Sequence, residues 1–312
     1  MKTNIPITEK PAIAVSGGYV QPFIDFRHGD GVAGMATIKS GTVKCVLVDP
    51  PYLYLKGQKL EREFDELLYF SKVRRVLRDD GFIVMFGRGK SFYRWNGLLE
   101  MLGFKFKEEM IWNKNQISSP VTEISRVHET ISIWTKKSGK LNLVFTPYLK
   151  DDPPLDKIHQ DLKRIKSGLN NPNELKMLEQ YVTDKSRDYV LRRDDVGSKA
   201  TVQTSIRASS RAVTTLEAID RGHKIKSIYS CGRDHYDIIH PTQKPVGILI
   251  DLLKLTTDKG DLVVDNFAGS ASCGEASAEL ERPWIGWEID KEYYDLAINK
   301  RLSKLSVQVS LF

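Results

Sequence analysis

"DLVVDNFAGSASCGEASAELERPWIGWEID", residues 261 to 290, runs from a short valine-rich segment through a glycine-containing turn and a helical stretch into a second apolar run. Strand, turn, helix and strand in that order is the unit of a parallel sheet with crossover helices. Gly269 lets the backbone of the turn pass close to a ligand, and the helix start behind it offers free N–H groups. Glu288 follows Asp265 by 23 positions and ends the next strand. That is where a Rossmann-type site grips ribose hydroxyls. Neither GxGxxG nor GxxxxGK[ST] occurs, so the ligand implied carries adenosine without needing a pyrophosphate. S-adenosylmethionine answers that description.

The same rhythm is written earlier in the chain. "KCVLV" (44–48) and "GFIVMFG" (81–87) read as buried strands, separated by "EREFDELLYFSKVRRVL", in which Phe64, Leu67, Leu68, Val73, Val76 and Leu77 recur at helical spacing. A helix around 91–101 and strands at 105–112 and 128–136 continue it. After "VGILIDLLKLTT" and the opening stretch, the last helix is expected to start at an Asp290 cap and to bury Tyr294, Ala297, Ile298, Leu302 and Leu305. The expected fold is α/β, a mostly parallel, doubly wound sheet.

Residues 138–237 differ in kind. Two charged helices are expected over 155–195, broken at "LNNPNE", where Asn171, Pro172 and Glu174 match an N-cap, a first-turn proline and a capping-box acid. Lys and Arg number nine against ten Asp and Glu in 151–195, but seven against four in 196–237. Net charge over the 312 residues is +7, compatible with a polyanionic partner. The three cysteines are far apart and the six histidines show no paired spacing, so neither a disulfide framework nor a metal site is expected. No run of about 20 apolar residues spans a bilayer, and the first residues lack a signal-peptide pattern. A reducing, cytoplasmic setting is the expectation.

"VLVDPPYLYL" (46–55) ends a strand with an acid, two prolines and an aromatic ring. Together with "HPTQKP" (240–245), "DNFAGSAS" and "GWEID", in that order, it resembles the β-class amino-methyltransferases of DNA, in which the catalytic motif precedes the cofactor motif. The resemblance covers about 20–150 and 238–305. It implies a Rossmann-like methyltransferase fold in circularly permuted motif order: residues 1–137 as the catalytic half, 138–237 as an inserted, largely helical target-recognition region, and 238–312 as the cofactor half. It implies a catalytic pocket of Asp49, Pro50, Pro51 and Tyr52. Asp265, Phe267, Ala268, Gly269 and Ser270 would surround the methionine part of S-adenosylmethionine, Glu288 its ribose and Asp30 its adenine. Thr242, Lys244 and Pro245 would pass over its amino-acid end, with Lys244 at the carboxylate. Two positions depart from the family pattern: Asn266 stands for a common proline and Ala271-Ser272 for a common Gly-Thr.

The resemblance explains the tetrapeptide. An exocyclic amine is a poor nucleophile because its lone pair is delocalised into the ring. Asp49 and the Pro50 carbonyl would each accept an amine hydrogen and aim the lone pair at the methyl group, with tandem prolines fixing the geometry. Tyr52 would stack on a base that has left its duplex. The implied reaction is methylation of adenine N6 in double-stranded DNA, yielding S-adenosylhomocysteine. Cytosine N4 is the alternative, and RNA or protein methylation or a non-catalytic binding module are more distant ones. His240 is expected to order its loop and Cys273 to pack. Lys90, Arg94, Arg207, Arg211, Lys224, Lys226 and Arg233 are candidates for DNA contacts. A second copy of the chain and a cognate restriction endonuclease are the other partners implied.

Overall fold

The computed structural model describes residues 23–52, 62–116, 123–148, 155–184, 211–232, 238–305 and 308–311. In chain order the strands are β1 Phe23–His28, β2 Val43–Val48, β3 Leu77–Gly87, β4 Lys105–Asn113, β5 His128–Thr135, β6 Phe145–Thr146, β7 His223–Lys224, β8 Ile228–Ser230, β9 Val263–Asp265, β10 Trp284–Glu288 and β11 Gln308–Leu311. The helices are α1 Gly31–Gly34, α2 Glu66–Val76, α3 Gly89–Met101, α4 Leu155–Leu169, α5 Pro172–Asp184, α6 Arg211–Arg221, α7 Val246–Thr256, α8 Ser272–Glu279 and α9 Lys291–Lys300. The chain packs as two units, residues 143–225 and everything else.

Among the described residues of the larger unit nine strands pair in the order β11-β1-β10-β9-β2-β3-β5-β4-β8. β11, β1, β10, β9, β2 and β3 run parallel, whereas β5 lies antiparallel between β3 and β4. The fold is therefore the expected mostly parallel α/β sheet, with an antiparallel hairpin inserted where sequence alone showed only two more strands. All six residues of β2 are buried, as a strand covered on both faces requires. Val46, Val48, Ile83, Met85 and Val264 join Tyr69, Phe70, Val73, Trp95 and Leu99 of α2 and α3 in one core. The alternate residues face the other way, where Thr256 of α7 reaches Cys45 Sγ at 3.5 Å. Leu67 and Leu68, expected on the buried stripe of α2, are 47% exposed; the face that packs on the sheet carries Tyr69 and Phe70 with the expected Val73 and Val76, and the Asp65 side chain caps the helix at the Leu68 N–H. Asp290 caps α9 as expected, accepting from the Glu292 and Tyr293 N–H groups.

The smaller unit holds α4, α5, α6 and the antiparallel β6–β7 pair. Asn171 Oδ1 accepts from the Asn173 and Glu174 N–H groups at 3.1 and 3.5 Å, starting α5 where the sequence marks it. Met177, Leu178 and Tyr181 of α5 pack on Ala212 and Val213 of α6, a helix that the run of β-branched residues 213–215 conceals. This unit lies inside the 138–237 stretch set apart by composition.

One joint fixes the loop after β1 to the turn after β9. Asn266 Nδ2 donates to the Gly31 carbonyl at 2.9 Å, and Tyr69 Oη donates to Asn266 Oδ1 at 3.3 Å, both buried. A side chain at Gly31 would put its Cβ 2.2 Å from the Asn266 carbonyl oxygen. Asn266, a departure from the family pattern, thus supplies a buried bridge that proline lacks. Gly31→Ala is expected to lower stability by about 1–3 kcal/mol through overpacking, measured as a shift of the urea midpoint at unchanged slope.

Candidate active site

β2 and β9 are parallel neighbours, with Val46 opposite Val264, so the residues ending them emerge at one edge of the sheet. Asp49 follows β2 and Asp265 ends β9. The crevice outside the carboxyl ends of strands, where the connections diverge, is where open α/β sheets bind ligands. Here it is a cavity of about 840 Å³, within the range of small-molecule sites. Asp30, Asp49, Pro50, Pro51, Tyr52, Thr242, Lys244, Asp265, Phe267, Ala268, Gly269, Ser270 and Glu288 all line it. Pro245 does not; it flanks the start of α7, where its lack of an N–H is harmless.

At one end of the cavity the carboxylates are buried. Asp265 is 5% exposed and accepts from the Phe267 N–H at 3.0 Å. Burial, helped by the charges of Asp49 and Glu288, pushes it up to about 8. Glu288 Oε2 accepts from the Gly269 N–H and Oε1 from the Asp290 N–H, both at 2.8 Å. Burial raises its carboxyl as well. Gly269 has φ +52°, and the His240 ring stands 3.4 Å from where a side chain would begin, so the "HPTQKP" loop closes directly over the turn. His240 Nδ1 lies 3.1 Å from Thr242 Oγ1, and burial lowers the imidazole to about 4. It is a neutral loop-ordering group, as the sequence suggested. Asp30 also caps α1, accepting from the Val32 N–H at 2.8 Å. Ala271, where the family favours glycine, sits at φ +56° as the N-cap of α8.

At the other end lies a cluster of charges that the sequence did not announce. Tyr52 Oη donates to Asp49 Oδ1 at 2.6 Å, and Ser91 Oγ donates to the Tyr52 carbonyl at 2.7 Å, pinning the tetrapeptide to the start of α3. The Lys244 ammonium, expected beside a cofactor carboxylate, donates to Asp49 Oδ2 and lies 3.3 Å from Glu129 Oε2. Glu129 in turn pairs with Lys114, whose side chain is 1% exposed. Burial pushes Asp49 above the ordinary carboxylate range against the pull of Lys244. Burial acts on Glu129 likewise, but Lys244 and Lys114 win and hold it at about 2. Glu129 and Lys114 meet because β4 and β5 form a hairpin whose Trp112 and Glu129 are paired. The signal was available: Glu129 shares the face of Ile131 and Ile133, an acid on the buried side of a strand.

A family model described as DNA methylase matches residues 43–299, most of the chain and every element that builds this cavity except β1 and α1. The chain belongs to the N6/N4 DNA methylase family. It is 23% identical over 304 residues to the type II methyltransferase M.HinfI of Haemophilus influenzae, covering 89% of this chain and 67% of the relative. Among solved structures, the complex of M1.HpyAVI with SAM aligns with a TM-score of 0.52 and 20% identity, over 88% of this chain and 98% of that one. PvuII DNA methyltransferase, a cytosine-N4-specific enzyme, aligns with a TM-score of 0.55 and 14% identity, over 89% and 88%.

The candidate DNA contacts of this methylase belong to both units. Lys90 is exposed in the first turn of α3, whereas Arg94 donates from Nε and Nη2 to the two oxygens of Glu66, at 2.7 and 2.5 Å. Lys224 in β7 and Lys226 are exposed, Arg211 opens α6, and Arg207 and Arg233 lie outside the described residues. Arg62, Arg88 and Arg126, which sequence reasoning passed over, line the cavity itself. Among the described residues no three His, Cys, Asp or Glu side chains group as a metal site, and no helix is long and apolar enough to cross a membrane. Cys273 is buried, which raises its thiol well above the usual range.

The Asp265 carboxyl gives a pH test. Its folded value of about 8 exceeds the unfolded one of about 3.9, so between those values the folded chain holds a proton that the unfolded chain has released. Stability contributed by that proton is complete below about pH 4 and is lost as pH rises toward 8. Asp265→Asn is expected to be more stable than the parent at pH 8, the gap narrowing toward pH 5 by at most about 1.4 kcal/mol per pH unit. Urea unfolding at three pH values measures it.

Proposed function

We propose that the chain transfers a methyl group from S-adenosylmethionine to the N6 amine of an adenine turned out of double-stranded DNA, leaving S-adenosylhomocysteine. One observation carries the reading: the Asp49-Pro50-Pro51-Tyr52 turn and the Asp265-to-Gly269 turn open into a single cavity from adjacent strand ends. The residues present suit the cofactor. Asp265 is a buried acid that a nearby positive charge would stabilise in its ionised form, and the cofactor carries a sulfonium and an ammonium group. Glu288, held by two backbone N–H groups, keeps lone pairs for ribose hydroxyls. Gly269 keeps the turn bare of a side chain at the point of closest approach.

When bound, the cofactor supplies a methyl group made electrophilic by its sulfonium. The protein does the rest. Asp49 and the Pro50 carbonyl accept the two amine hydrogens and bring the nitrogen lone pair out of conjugation; once the nitrogen carries its methyl, Asp49 takes the proton it loses. A carboxyl raised by burial is a better proton acceptor than an ordinary one, which suits that step. The Tyr52 ring, packed 6.2 Å from Trp95 and tied by its hydroxyl to Asp49, offers a fixed face for the base. Exposed Lys90, Lys224 and Lys226, the arginines at the cavity, and the 138–237 insert are assigned to phosphate contact and target recognition.

Adenine is favoured over cytosine by the aspartate that heads the tetrapeptide. The likeness to the PvuII enzyme keeps N4 of cytosine as the second reading. Digestion of treated DNA followed by mass spectrometry separates them: N6-methyladenine is expected, and N4-methylcytosine alone would reverse the choice. Asp49→Ala is expected to cut the turnover rate by about a hundredfold or more while leaving S-adenosylmethionine binding within about threefold. Glu288→Ala should weaken that binding instead, read by calorimetry.

A further inference from the structure

Both oxygens of the Asp49 carboxylate accept a hydrogen bond from within the protein, Oδ1 from Tyr52 Oη and Oδ2 from the Lys244 ammonium. The methyl-transfer chemistry asks the same carboxylate for an amine hydrogen and then a proton. An ammonium on one oxygen and a hydroxyl on the other both stabilise the ionised acid and make it a weaker base. Each of these donors has a second acceptor at hand, and it is the same atom. Glu129 Oε2 stands 3.4 Å from Tyr52 Oη and 3.3 Å from Lys244 Nζ. Its other oxygen accepts from the buried Lys114 ammonium, which anchors the carboxylate on the far side.

We propose, resting on the methyl-transfer reading, that Glu129 is a positioning residue that takes over the Lys244 and Tyr52 donors from Asp49 as the target amine arrives, so that Asp49 is left to bind and deprotonate that amine. The exchange balances. Lys244 and Tyr52 keep their protons and change only their acceptor. The amine nitrogen forms the bond to the methyl carbon, the carbon–sulfur bond breaks with its pair staying on sulfur, and the N–H proton goes to Asp49. Two acids and two lysines make the cluster neutral, so the exchange moves no net charge through a buried site. Glu129, held at about 2, stays ionised and ready to accept throughout the working pH range.

The test is a double-mutant cycle on the full chain with radiolabelled S-adenosylmethionine and unmethylated DNA of mixed sequence. Glu129→Gln is expected to lower kcat at least about tenfold with the KM for S-adenosylmethionine within about twofold of the parent. Tyr52→Phe keeps the ring and removes one of the two donors, so the double variant should lose much less than the product of the single losses. If Glu129→Gln does not fold, Lys114→Gln with Glu129→Gln removes the buried pair together and carries the same comparison. A folded variant that turns over within about twofold of the parent, or losses that multiply, overturns the inference alone. A parent that methylates no DNA overturns the functional reading and this inference with it.

Discussion

The parallel pairing of β2 with β9 is the contact on which the rest of the molecule depends. It brings together Cys45 and Val263, two segments more than two hundred residues apart in the chain, and it sets their carboxyl ends side by side. Every chemical group of the cavity is placed relative to that edge. Asp49 extends from one strand and Asp265 from the other, β10 carries Glu288 alongside β9, and β3 leads to the α3 start that holds Tyr52. The antiparallel β5 enters from the opposite direction, which is why Glu129, near its beginning, arrives at the same edge where β3 ends.

The cavity gathers Asp49, Glu129, Asp265 and Glu288 among its acids and meets them with two buried lysines, Lys114 and Lys244. Asp265 and Glu288 are pushed up by burial, whereas Glu129 is held down by its lysine partners, so acids of similar kind acquire different proton affinities from their surroundings. An arrangement of this sort works against folding stability. Buried charge is tolerated where a cationic ligand or a shuttled proton makes use of it, which is the usual exchange between activity and robustness in enzymes.

Much of this was legible in the sequence, because the informative features were local. β2, β3, β9 and β10 are short apolar runs bounded by turns, Asp290 and Asn171 stand at the cap positions they occupy, and the motif residues line one cavity apart from Pro245. What escaped notice is set by distant partners. Direction of a strand is not written in it, so the antiparallel placement of β5 was invisible. The role of Lys244 depends on carboxylates 195 and 115 residues away, Asp49 and Glu129. Burial of Tyr69 in place of Leu67 is decided by which face of α2 meets the sheet.

The strand order also constrains how such a chain is made. β1 pairs only with β10 and β11 among the described strands, and β2 borders β9 on one side. During vectorial synthesis the segment from β2 to β5 emerges able to pair with itself, while β1 waits for a partner, β10, that is translated long after it. Its apolar residues Ile24 and Phe26, fully buried in the finished sheet, lack the cover of β10 until that strand has emerged. The crevice beside β2 therefore first exists only once the late strands β9 and β10 have joined β2 and β1.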